Sequence, residues 1–498
     1  MTTVAARKPE NGTNRRPASR LVLWWIPLGM FVLAVVCRIV SILQAGGFFA
    51  ALNPDEGAYY GASMALAEGV LPYRDFLLLH PPGIAVLLAP FAALASVVGD
   101  ADSMAAMRLG VVVLGGLNTV LVYRVALRIG VPAAVCASLF YAVWFPVVRV
   151  ERTALLEPFV ITAILVALLA TTAPRVTSRG LIIGGLIAGV LATTKLYSIV
   201  PLAIITAALL ITNGWRKAAT FTAALAAGFV AVCLPFFVLA PTEMFRMVVL
   251  DQLGRGGSID HVARLRDIFA LTELDPAASL FTVCVCLIVA FMAVIAVVRI
   301  PASRLWVVLL VVQIGVLLAG PNLFVNYTAY PAAALALTVG AFAQAACGGV
   351  GARFKTIQCT VIIAAIVLTS GAIHLSKDSS GKPFPVRPVA ATVAGATCVT
   401  ADSATALILT NTFSRNIANG CPVVVDFTGL VYSTRDLPLN RVNNPEYQRM
   451  ALAYLNQGDA IIIMRERQDG FTAESLADIQ RRPVLYTNQQ VTVYGALP

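Results

Sequence analysis

Long apolar runs separated by short polar links fill the chain from Leu21 to about residue 375. After Leu21–Leu43 they recur at 84–98, 107–127, 131–148, 158–172, 181–194, 196–212, 219–240, 277–298, 305–320, 327–346 and 356–375. A spanning helix needs about 20 mostly apolar residues, so this spacing predicts a polytopic, all-α membrane domain. The polar segment 1–20 carries Arg7, Lys8, Arg15, Arg16 and Arg20, and the run after it is too long for a signal-peptide core. It reads as a first spanning helix with a cytoplasmic basic flank. The pattern changes at 376–498, which lacks such runs. There Thr397–Ala401, Pro422–Phe427, Ala460–Met464 and Val491–Tyr494 predict short strands and Asn443–Asn456 a helix, giving a small α/β domain.

The run 84–98 decides the topology. If it spans, the later basic links fall outside. If it is interfacial or re-entrant, Arg124/Arg128, Arg175/Arg179, Arg216/Lys217, Arg299/Arg304 and Arg353/Lys355 all fall inside, as the positive-inside rule requires. The second reading gives about eleven spans, an inside N-terminus and an outside C-terminus. The membrane domain is then 21–375, with outer loops at 45–106, Arg149–Pro158 and 241–276, followed by the extracytoplasmic domain 376–498. Of 25 Asp and Glu, only Glu10 falls on the inner side.

Composition agrees: the chain is 59% hydrophobic and 12% charged, against about 25% charged in soluble domains. That excludes a soluble enzyme and a disordered chain. The net charge of +11 comes from the inner links, so it is a topology signal and implies no nucleic-acid partner. The Arg-dominated basic set and the high Ala and Val content fit a GC-rich bacterial gene, hence a bacterial plasma membrane. Seven of the nine Cys lie in apolar runs; Cys398 and Cys421 are the two in the outer domain. An oxidising compartment permits their pairing, but sequence does not give their separation. His80, His261 and His374 are scattered and form no metal-ligand spacing.

Candidate chemistry lies on the outer side. Asp55 and Glu56 follow the first helix between Pro54 and Gly57, a constrained turn into Tyr59 and Tyr60. Glu68, Tyr73, Asp75 and His80-Pro81-Pro82 come close behind. A carboxylate pair at a membrane surface is commonly a solvated loop, yet a mere connector needs no such density of polar and rigid residues. Glu151 and Glu157 flank the start of another span, Glu157 beside Pro158 as at a helix N-terminus. Lys195 sits in an outer turn and Arg255 in a glycine-rich outer loop. Either cation suits a lipid phosphate.

Asn-x-Asp-Glu-Gly-x-Tyr from Asn53, Gly-x-x-Pro-Tyr-x-Asp from Gly69, His-Pro-Pro-Gly from His80 and Glu-Arg-x-x-x-x-Glu-Pro from Glu151 together resemble the GT-C glycosyltransferases. The branch is that of protein O-mannosyltransferases, lipid A aminoarabinose transferase and bacterial cell-envelope transferases. The resemblance implies inverting transfer of a sugar from a polyprenyl-phosphate donor to a glycan, lipid or protein acceptor outside the membrane. It makes Asp55 the general base, with Glu56 beside it, and Glu157 the second acid, one methylene longer than the usual Asp. Glu151 is the lesser candidate there. Tyr60, Tyr73, Asp75, His80, Glu151, Lys195 and Arg255 are then expected to bind substrate. Some members use a divalent metal, for which Asp55, Glu56 and Glu157 supply oxygen atoms. The rival readings are a lipid-linked-sugar transporter or flippase and a non-catalytic glycolipid-binding subunit. Acids gathered at the outer surface, no visible repeat and an appended outer domain favour the transferase.

Overall fold

The computed structural model describes residues 20–496 apart from 255, 257–259, 272–278, most of 349–380, 435–436 and 465–469. Among the described residues, seven helices are long and apolar enough to cross a membrane. They are Leu21–Gln44, Asp100–Ala126, Leu196–Asn213, Trp215–Leu239, Phe281–Arg299, Pro301–Ala319 and Val325–Cys347. Shorter apolar helices occupy Val131–Val143, Glu157–Thr171 and Ser178–Ala192. Every predicted run from 107 to 346 therefore falls on a helix, while the run 356–375 lies largely outside the described residues. Glu157–Thr171 is apolar around nearly its whole circumference and almost entirely buried, as a helix at the centre of a bundle must be. Its neighbours pack through small residues: a Cβ on Gly189 would lie 2.1 Å from the Leu225 carbonyl oxygen, so only glycine lets these helices approach so closely.

The run 84–98 forms two short pieces, Gly83–Ala92 and Ala95–Val98. Ten residues rise about 15 Å, half the hydrocarbon thickness. Both ends of the run lie at the same end of the bundle. The Gly83 amide donates to Thr193 O at 3.0 Å, beside the Lys195 turn, and just past its far end Asp100 accepts from the Ser414 amide in the C-terminal domain at 3.0 Å.

The C-terminal domain holds a four-stranded sheet in the order β1 (Val399–Ala401), β2 (Ala460–Ile463), β4 (Thr492–Tyr494), β3 (Val484–Thr487). β1 pairs parallel to β2, and β4 antiparallel to both β2 and β3. Three predicted strands are present, and the predicted helix is Pro445–Leu455, capped by Asn444. Pro422–Phe427 is not a strand. Pro422 offers no amide donor, and Asp426 turns the chain by accepting from Thr428 and the Gly429 amide. Cys398 and Cys421 form a disulfide, with Cα atoms 5.7 Å apart.

This domain shares one core with the helical bundle: Ala404, Leu407 and Phe413 belong to the same buried cluster as Tyr60 and Ile84. The two come close at Gly57, which lies within the helix Pro54–Ala67 rather than in a turn before it. A Cβ there would sit 2.3 Å from Thr405 Oγ1 and 2.5 Å from Thr405 N. Because backbone must move to relieve that contact, Gly57→Ala should destabilise the docked state by about 1–3 kcal/mol. The expected result is a melting temperature lowered by several degrees in detergent, measured against Gly29→Ala, also within a helix, whose Cβ meets nothing within 4 Å.

Candidate functional site

The first outer loop presents its carboxylates by helix geometry. Asn53 caps the helix Pro54–Ala67, its Oδ1 accepting from the Asp55 amide at 2.9 Å. Asp55 therefore sits in the first turn, where the helix dipole favours negative charge. Asn326 Nδ2 donates to Asp55 Oδ2 at 3.2 Å, and Asn326 Oδ1 accepts from Asn53 Nδ2 at 3.1 Å. Asp55 lines a cavity of about 250 Å³ whose walls come from three parts of the chain. The first loop gives Asp55, Tyr59 and His80; the link before the helix Ala332–Gly348 gives Phe324 and Tyr327; the C-terminal domain gives Asp426, Tyr432 and Arg441. Tyr59 meets His80 edge-on at 5.6 Å. Burial pushes the Tyr59 phenol well above its ordinary range, with Asp55, Tyr327, Glu157 and Asp426 adding to the rise, so it stays a neutral hydroxyl.

The other predicted acids are held by cations. Glu56 is fully buried and takes both arms of Arg108, Nε to Oε1 at 2.8 Å and Nη2 to Oε2 at 2.5 Å. Arg108 also donates to Phe48 O and Ala50 O, so this pair fastens the first loop to the helix Asp100–Ala126. Glu151, also fully buried, accepts from Arg38 Nη2 at 2.5 Å, Asn118 at 2.7 Å and Tyr141 at 2.7 Å. Neither carboxylate lines the cavity. Glu157 Oε1 accepts from Lys195 Nζ at 2.6 Å and Tyr197 OH at 3.0 Å. Lys195 in turn lies 3.4 Å from the centre of the Tyr327 ring. This pair therefore stands directly behind one cavity wall.

Of the remaining predicted residues that are described, only His80 reaches the cavity. Tyr60 is buried and donates to Ser103 Oγ, while Tyr73, at φ 69°, donates to the His80 carbonyl at 2.6 Å and shapes the turn that presents it. Asp75 is at the surface, where the Arg74 guanidinium and the Leu71 amide hold its carboxyl below the usual range. Arg255 lies outside the described residues. Among the described residues no three His, Cys, Asp or Glu side chains form a metal-ligating group. The carboxylates of Asp55, Glu56 and Glu157 are instead held by different partners.

Sequence reading missed Asn326 and Tyr327, although Asn326 ends a break between two apolar runs on the predicted outer side and Tyr327 opens the second run. Asp426 and Arg441 carry no such signal. Arg441 makes no side-chain hydrogen bond or ion pair among the described residues; its stem lies against Gly470, where an added Cβ would approach its Cβ to 2.7 Å.

Removing one partner of a buried ion pair strands the other charge, at a cost of about 3–5 kcal/mol. Arg38→Ala should therefore sharply reduce folded, monodisperse protein in size-exclusion chromatography. Asp75→Asn, at an exposed pair, should change the melting temperature little.

No family model and no curated protein sequence matches the chain. Solved structures do. ArnT from Cupriavidus metallidurans in the apo state aligns over 96% of this chain and 98% of its own, with TM-score 0.59 and 15% identity. The same protein bound to undecaprenyl phosphate gives TM-score 0.56 at 15% identity, over 94% and 97%. The Archaeoglobus fulgidus oligosaccharyltransferase in complex with Zn and sulfate aligns over 88% of this chain and 67% of its own, with TM-score 0.53 and 11% identity. The alignment runs through the helical bundle and the C-terminal domain alike, and this chain shares the fold of these structures.

Proposed function

We propose that the protein is an inverting glycosyltransferase that moves a sugar from a polyprenyl-phosphate donor to an acceptor outside a bacterial plasma membrane, with Asp55 as general base. The acceptor is a cell-wall glycan, lipoglycan or protein. One observation carries the reading: Asp55 lines a cavity enclosed jointly by the first outer loop, the Phe324–Tyr327 link and the C-terminal domain. The fold likeness to ArnT bound to undecaprenyl phosphate supports the donor class.

In this reading the acceptor hydroxyl oxygen attacks the anomeric carbon while its proton passes to the Asp55 carboxylate. The bond from anomeric carbon to phosphate oxygen breaks, and polyprenyl phosphate leaves with the electron pair. Charge growing on that phosphate calls for a cation in the cavity wall. Arg441 meets the requirement, since Lys195 is neutralised by Glu157. Tyr59 and His80 border the sugar, and Asn326 orients the base. The donor set does not fit a ready-made divalent site, because Glu56 gives both oxygens to Arg108 and Glu157 is paired through Oε1 with Lys195; no step here passes through a metal.

The test is transfer from a radiolabelled polyprenyl-phosphate sugar in purified protein. Asp55→Asn should lower turnover by roughly a hundredfold to ten-thousandfold while carrier binding stays measurable; undiminished turnover removes the base assignment. Arg441→Gln should weaken donor use, and Arg441→Lys should restore part of it. Equal kinetics in both variants would take the phosphate contact away from Arg441.

A further inference from the structure

A second cavity, about 1080 Å³, opens at the end of the bundle opposite Asp55. The polarity follows from the helices: Glu157 and Lys195 mark the site end, and the cavity is lined where the same helices finish, at Thr171, Thr172 and Asn213. Fifteen helical residues separate the two ends, about 22 Å. Three cations line it: Arg175 after the helix Glu157–Thr171, Lys217 in the first turn of Trp215–Leu239, and Arg304 at the start of Arg304–Ala319. No Asp or Glu lines it. Among the described residues the side chains of Arg175 and Arg304 have no hydrogen bond or ion pair, and that of Lys217 has only Asn213 Oδ1 at 3.4 Å. That contrasts with the buried cations at the other end, which are all committed. Deeper in, the wall is apolar, with Ile204, Leu305 and Val308.

Membrane level at this end is marked by exposed tryptophans: Trp24 is 67% and Trp215 68% accessible, as in the aromatic belts where indole rings meet headgroups. Arg124 lies over Trp24 and donates to Leu23 O, so the belt and the basic helix ends are at one depth. Three unneutralised cations above an apolar wall, at headgroup depth, have the charge and polarity profile of a phosphodiester on two acyl chains.

We propose that this cavity is a binding site for an anionic phospholipid, with Arg175, Lys217 and Arg304 taking the headgroup phosphate and the apolar wall an acyl chain. The site is separate from the cavity at Asp55, and its occupancy does not depend on the reaction assigned there. Zwitterionic lipids enter with their phosphate charge already balanced, so the site discriminates by net charge.

Native mass spectrometry of the full chain, released from detergent with added phosphatidylglycerol or phosphatidylcholine, tests this. The expected result is retained phosphatidylglycerol at least roughly fivefold above phosphatidylcholine, and a roughly fivefold loss for each of Arg175→Gln, Lys217→Gln and Arg304→Gln. Arg179→Gln, an exposed cation that does not line the cavity, should leave retention unchanged. The single variants keep the test readable where a triple variant is not recovered. Equal retention of the two lipids, or retention unaffected by all three substitutions, overturns the proposal. So does full displacement of phosphatidylglycerol by millimolar inorganic phosphate, which would make this a free-anion site without an acyl component.

Discussion

A carboxylate inside a helical bundle must find a cation or give up its charge, because the low-dielectric interior cannot solvate it. Three of the acids in the sequence motifs obey this directly: Glu56 with Arg108, Glu151 with Arg38, Glu157 with Lys195. Each pair joins elements far apart in sequence. Arg108 ties the first outer loop to the helix Asp100–Ala126; Arg38 ties the first helix to the Arg149–Pro158 link; Lys195 ties the start of Glu157–Thr171 to the next outer turn. Such pairs are weak evidence for stability, since apolar replacements often do as well. Their value here is register. Each fixes where a loop must sit before any cavity between the loops can exist.

That constraint explains how much of the site was legible. Asp55, Glu56 and Gly57 are adjacent in the chain, and the sequence offers no reason to separate their roles. On a helix each successive side chain turns about 100°, so the three point apart. Asp55 faces the cavity, Glu56 faces Arg108, and Gly57 faces Thr405 of the C-terminal domain. The motif is one turn of helix serving a candidate reacting group, a brace and an interdomain contact. Residue types were readable; direction was not, because it depends on the helix starting at Pro54.

The helices themselves were plain in the apolar runs, since bilayer thickness dictates their length. The short run 84–98 was also readable, because fifteen residues do not reach across. The C-terminal domain was harder. Its three buried strand segments stood out by composition, but β3 is an edge strand with mostly exposed residues and carries no apolar pattern. Pro422–Phe427 has a strand's composition without pairing, and its backbone instead curls at Asp426 into the cavity wall. Arg441 is one arginine among many in the sequence, and only its position across from the first loop sets it apart.

In the proposed reaction the two halves of the fold divide the chemical requirements between them. A displacement at a sugar phosphate needs an acceptor of protons on one side and positive charge on the other. The helical bundle supplies Asp55 but has used its nearby cation, Lys195, to bury Glu157. Among the described residues, the guanidinium that lines the cavity without a side-chain partner, Arg441, comes from the C-terminal domain, which meets the bundle at Gly57, Asp100 and Ala101. In that reading neither half contains a complete site. Among the described residues, Glu157 neutralises Lys195 behind the cavity wall, and the cation that lines the cavity itself is the docked domain's Arg441.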